Sequence, residues 1–137
     1  MPTDTKVTLH VCTTCKIAPL PGSATAASEP RGQALYDRLL DTIASQGLAD
    51  RVNLQPVECL SVCKRAATVA VSGTGRWTYV YGDIEPDRDL DTLIAGILAY
   101  AEAPAGLIPW KERPQIFKKG VVARIPSVLG IAPGASI

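Results

Sequence analysis

This 137-residue sequence predicts a mixed α/β (α+β) fold, a sheet of about four strands with two main helices packed on it. Three observations carry that expectation. Short runs alternate apolar and polar residues, two longer runs repeat apolar residues at helical spacing, and the two kinds interleave as strand, helix, strand, hairpin, helix. With 47% hydrophobic residues, one domain of this length can bury a substantial core.

The first strand is Lys6-Val-Thr-Leu-His-Val-Cys12, with Val7, Leu9 and Val11 on one face and Thr8, His10 and Cys12 on the other. Residues 16–31 hold Pro19, Pro21, Gly22 and Pro30 around a run of small residues, which is loop composition. A helix is expected to start near Gly32, because Leu35, Leu39, Leu40 and Ile43 recur at its period, and Gly47 suits a left-handed stop.

Val52-Asn-Leu-Gln-Pro-Val57 alternates like a second strand and delivers Glu58 and Cys59. Ala67–Val71 and Trp77–Tyr81 flank Ser72-Gly-Thr-Gly-Arg76, the pattern of a hairpin. From Asp87 to Ala103, Leu90, Leu93, Ile94, Ile97, Leu98 and Ala101 mark a second helix, with Asp87, Asp89 and Asp91 at its positive end. Prolines 104, 109, 114, 126 and 133 punctuate the remainder, which reads as an extended, irregular tail. The expected organisation is a domain over 1–103 and a tail over 104–137 that packs on the domain or on a partner subunit.

The formal net charge is only +1, which does not suggest nucleic acid or a membrane surface as a partner. It is unevenly divided, however, with net −3 over residues 1–103 and net +4 over residues 104–137. No segment reaches the roughly 18 apolar residues of a membrane span, and the start of the chain lacks the pattern of a signal peptide. The expected location is therefore the cytoplasm. Disulfides are rare there, so closely spaced cysteine pairs point to metal or redox chemistry.

All four cysteines fall in two such pairs, Cys12-x2-Cys15 and Cys59-x3-Cys63, separated by forty-three residues. Each pair sits where a predicted strand runs into a loop, and such loops can face backbone amides towards bound sulfurs. Four thiolates suit a tetrahedral zinc or a two-iron cluster equally. Ordinary buried thiols would not explain the pairing. A thioredoxin-type dithiol at Cys12 and Cys15 would want a helix to begin there, and it leaves Cys59 and Cys63 unused. Cys59-Leu-Ser-Val-Cys63 is wider than a zinc knuckle and has an apolar side, which suits shielding a cluster from water.

Val57-Glu-Cys-Leu-Ser-Val-Cys-Lys-Arg65 resembles the second cluster-binding loop of thioredoxin-like two-iron ferredoxins. A wider resemblance, to a small bacterial family of predicted metal-binding proteins, rests on Val11–Cys15, Gly32–Leu39, the Cys59 loop, Arg76–Gly82, Gly106–Trp110, Arg113-Pro114 and Ala123–Pro126. It implies a thioredoxin-like fold and a 2Fe-2S cluster held by Cys12, Cys15, Cys59 and Cys63. It further implies electron transfer to a redox protein partner, and by analogy a homodimer. The ferredoxins usually place a longer segment between their first two cysteines, so Cys12-Thr-Thr-Cys15 keeps zinc or a single iron open. The alternative is a zinc-binding or metal-handling accessory protein, tied to cobalamin or metal metabolism, with no electron-transfer role.

No nucleophile elbow, phosphate-cradling glycine loop or histidine-carboxylate metal motif points to an enzyme. His10, two positions before Cys12, could reach a metal, although a hydrogen-bonded or solvent-facing strand histidine accounts for it as well. Lys64 and Arg65 could face a redox partner or simply be solvated. Trp77, Tyr79 and Tyr81 share a strand face and suit packing.

Overall fold

The computed structural model describes residues 6–13, 31–58 and 67–127. Its elements are β1 (Val7–Cys12), α1 (Arg31–Ser45), β2 (Val52–Val57), β3 (Val69–Ser72), β4 (Thr78–Tyr81), α2 (Leu90–Glu102), α3 (Gln115–Lys119) and β5 (Val121–Ile125). Short 3₁₀ turns at Pro104–Gly106 and Trp110–Glu112 link α2 to α3. The strands form one mixed sheet in the order β2-β1-β3-β4-β5. β1 and β2 are parallel, as a crossover through a helix requires, and the remaining pairs are antiparallel.

The expected fold class holds, with the strand count corrected from about four to five. The fifth strand comes from the proline-rich stretch, where Val121–Ile125 pairs with β4 at the sheet edge before Pro126. Proline spacing hid it, because a five-residue edge strand between Gly120 and Pro126 is too short to show a convincing period. Pro56 marks the other edge, since β2 has only β1 as a neighbour and tolerates a residue without an amide hydrogen.

Strand alternation sorts the two faces. Leu9, Val71 and Tyr79 lie side by side across three strands and are buried, while Thr8, His10, Asn53 and Gln55 are on the opposite face. Against the Leu9 face pack Leu35, Leu39 and Ile43 of α1, Leu93, Ile94 and Ile97 of α2, and Phe117 of α3. At roughly 1.5–3 kcal/mol for each large apolar side chain removed from water, this one cluster holds both helices to the sheet. Leu40 departs from the expectation, being 49% exposed on the outer side of α1.

The ends of α1 follow their sequence signals. Gly47 takes φ +67°, and the amides of Leu48 and Gly47 donate to the carbonyls of Ile43 and Ala44. Those two bonds make a Schellman stop. The start of α2 is corrected by three residues, from Asp87 to Leu90. Asp87 and Asp89 are occupied in the turn that precedes the helix. The Asp89 carboxylate accepts the Glu85 amide at 2.8 Å and pairs with Arg88, and Asp87 pairs with Arg38 of α1 at 2.8 Å. At the far end of α2, the buried Arg76 guanidinium donates to the Ala101 carbonyl at 2.9 Å, satisfying one of the orphan acceptors of a helix C-terminus.

The packing expectation for the aromatic row holds for Tyr79 and Tyr81, which are buried and stacked on each other, with Phe117 stacked on Tyr81 at 4.0 Å between ring centroids. Trp77 is half-buried, with the Arg124 guanidinium 4.3 Å from its ring centre. Among the described residues, no helix is long and apolar enough to cross a membrane.

Candidate metal centre

Parallel pairing makes β1 and β2 end together, with Cys12 opposite Val57. Every segment that leaves those ends starts from the same edge of the sheet, the edge where ligands of open α/β sheets bind. Of the four predicted ligands, Cys12 is described. It is 1% exposed, and its Sγ lies 3.7 Å from the carbonyl oxygen of Glu58. Cys15, Cys59 and Cys63 lie outside the described residues, as do Lys64 and Arg65. Among the described residues, therefore, no group of three or more candidate metal ligands comes together.

The surroundings of Cys12 are nevertheless informative. Its amide donates to the Thr68 carbonyl at 3.0 Å, so Thr68 and Glu58 flank it from opposite sides. Those two residues stand on either side of the stretch that carries Cys59 and Cys63: Glu58 is bonded to Cys59, and Thr68 follows Cys63 by five positions. Ala67 exchanges both backbone hydrogen bonds with Ile84 at 3.1 Å, which ties down the return of that stretch. The described residues on both sides of the second cysteine pair thus meet at Cys12.

Thr13 closes the arrangement. Its amide and its hydroxyl both donate to the Val57 carbonyl, at 2.9 and 3.2 Å. On a third side, the first turn of α1 lies against the Cys12 peptide at Gly32. Sequence reasoning identified Cys12 and placed a helix start near Gly32, but it missed Thr13, Thr68 and the contact between Gly32 and Cys12. No local signal reveals them, since they are meetings of segments distant in the chain.

His10 is half-buried between Gln55 and Ala70 on the sheet face opposite the core. Strand alternation assigns it to the same side as Cys12, as the spacing predicts.

This arrangement of a parallel β1–β2 pair, an antiparallel hairpin and helices packed on one sheet is a thioredoxin-like fold. It matches solved structures of a thioredoxin-like [2Fe-2S] ferredoxin from Aquifex aeolicus. One superposes with a TM-score of 0.56 at 17% identity, covering 96% of this chain and 98% of the ferredoxin chain. A second structure of that ferredoxin gives 0.54 at 17% identity, covering 86% and 97%, and a cysteine-to-serine variant gives 0.54 at 16%, covering 85% and 98%. At this identity the likeness establishes the fold. The chain belongs to the family described as protein of unknown function (DUF1636), whose pattern it matches over residues 9–127. Among curated protein sequences none matches it.

Proposed function

We propose that this protein holds one 2Fe-2S cluster through Cys12, Cys15, Cys59 and Cys63 and passes single electrons to a redox protein partner in the cytoplasm. One observation carries the reading. Buried Cys12 meets the last described residue before Cys59 through its thiol and the first described segment after Cys63 through its amide. Two cysteine pairs in the segments that continue from the adjacent ends of β1 and β2 suit a cluster, and the similarity to the Aquifex ferredoxin supports the same assignment.

When bound, such a cluster supplies one-electron oxidation and reduction. The chain's own residues do the rest. Cys12 supplies a thiolate from a strand end, and the hydrogen of its thiol, directed at the Glu58 carbonyl, is the one a metal displaces. Cys12 is 1% exposed, so the described fold already keeps water from that donor.

The two-residue gap between Cys12 and Cys15 favours one competing reading, a zinc-binding or metal-handling accessory protein. An absorption spectrum and metal analysis of protein purified without oxygen separate them. Visible charge-transfer bands that bleach with dithionite, with two irons per chain, are expected; a colourless protein holding one zinc overturns the electron-transfer reading. Cys12→Ser and Cys59→Ser are each expected to abolish the colour, and full iron content in either variant would show the ligand assignment to be wrong.

A further inference from the structure

We propose that Gly32 is a positioning residue for the metal centre: the bare Cα at the first turn of α1 lets the helix clamp the Cys12 peptide and so set the direction of the Cys12 side chain. The inference deepens the cluster reading and rests on it. A Cβ at position 32 would overlap the Cys12 carbonyl oxygen and lie 2.9 Å from the Cys12 carbonyl carbon and 3.4 Å from Thr13 Cα. The first two of those atoms belong to one carbonyl group of the main chain, which cannot swing aside as a side chain could. Any residue other than glycine therefore has to push apart the start of α1 and the end of β1.

Neither element is free to yield. α1 is pinned over the next two turns by Ala34, Leu35 and Leu39, all fully buried. β1 is bonded on both sides, to β2 and to β3. The two peptides that flank Cys12 are thus gripped at three points between them. Thr68 takes the Cys12 amide, Gly32 lies on the Cys12 carbonyl, and Val57 takes the Thr13 amide and hydroxyl. With both peptide planes unable to rotate, the Cα–Cβ direction of Cys12 and the course of the chain through Thr13 are determined before any metal arrives. Preorganised ligands lose less freedom on binding and hold a single coordination geometry.

Two measurements on the full-length, cluster-loaded protein test this. In the wild type, the paramagnetic cluster should broaden the Gly32 amide resonance and leave that of Ser45 sharp, because the length of α1 puts Ser45 about 20 Å further away. In Gly32→Ala, iron release to a chelator should accelerate about fivefold or more, with an altered electron paramagnetic resonance signature of the reduced cluster. Thr13→Val, which keeps the branched shape and replaces the hydroxyl by a methyl group, should accelerate release by about twofold to tenfold, the worth of one hydrogen bond. A sharp Gly32 amide in the loaded wild type overturns the inference and leaves the cluster reading intact. So does a Gly32→Ala protein with unchanged signature and release rate. If Gly32→Ala does not fold, the wild-type amide and Thr13→Val decide. A wild-type protein without iron overturns the cluster reading itself, and this inference with it.

Discussion

At the carboxyl ends of β1 and β2, contacts are made by main chain and the smallest side chains: Cys12 to Thr68, Thr13 to Val57, Gly32 against the Cys12 carbonyl. Around β4 and α3 they are made by rings. Phe117 stacks on Tyr81, Tyr81 on Tyr79, and Tyr79 meets Tyr100 edge-on, all of them at most 3% exposed. The first region joins its segments by main-chain bonds and close backbone approach, which fix direction, so it positions. The second removes large apolar surfaces from water, so it stabilises. Damage to one region should therefore appear mainly in metal retention, and damage to the other mainly in melting.

The largest expected effect comes from Phe117→Ala. Its ring fills the space between Tyr81 and the bare Cα of Gly96, so truncation leaves a cavity and should cost about 3–5 kcal/mol, read as a lower midpoint in urea unfolding. Iron bound per folded chain should not change. A Phe117→Ala protein of full stability that had lost its iron would invert the comparison.

Alkali should loosen the same region next. Burial, first among the causes, pushes the Tyr81 and Tyr100 hydroxyls well above the usual tyrosine range, with Arg113 and Arg76 respectively opposing it. The folded state therefore keeps protons that the unfolded chain releases above about pH 10, and the contribution is fully present below that pH. Above it, each tyrosine should remove about 1.4 kcal/mol of stability per pH unit until its folded-state pKa is reached. Unfolding followed between pH 9 and 12 checks this, and a flat profile would contradict the burial of these rings.

The smallest expected effect is at the ion pair between Arg38 and Asp87, which joins α1 to the turn before α2. Both side chains are roughly a quarter to a third exposed, so Arg38→Gln should cost under about 1 kcal/mol, and less still in high salt. A larger loss would mean that this turn, with its carboxylates Glu85 and Asp89, couples to the packing of α1 and so to Gly32.

Much of this was legible in the chain itself. Alternation located β1 and β2, the glycine-rich turn located the hairpin, and the spacing of Leu35, Leu39 and Ile43 located α1, because each pattern is local and repeats several times. Gly47 announced its stop for the same reason. The start of α2 was misplaced because Asp87 and Asp89 suit a helix N-terminus on their own, whereas the folded chain engages them with Arg38, Arg88 and the Glu85 amide. β5 was missed because an edge strand of five residues is set by its partner, here β4, more than by its own sequence.

For the candidate site, residue type and spacing alone selected the four cysteines, since paired thiols in one chain are chemically distinctive. What only tertiary structure decided is the scaffold around Cys12. Parallel pairing sets Cys12 opposite Val57, the return of the chain sets Thr68 against its amide, and the packing of α1 brings Gly32 onto its carbonyl. Those contacts join segments some twenty to fifty-six positions apart, through backbone atoms that every residue carries, so no pattern of side chains could have encoded them visibly.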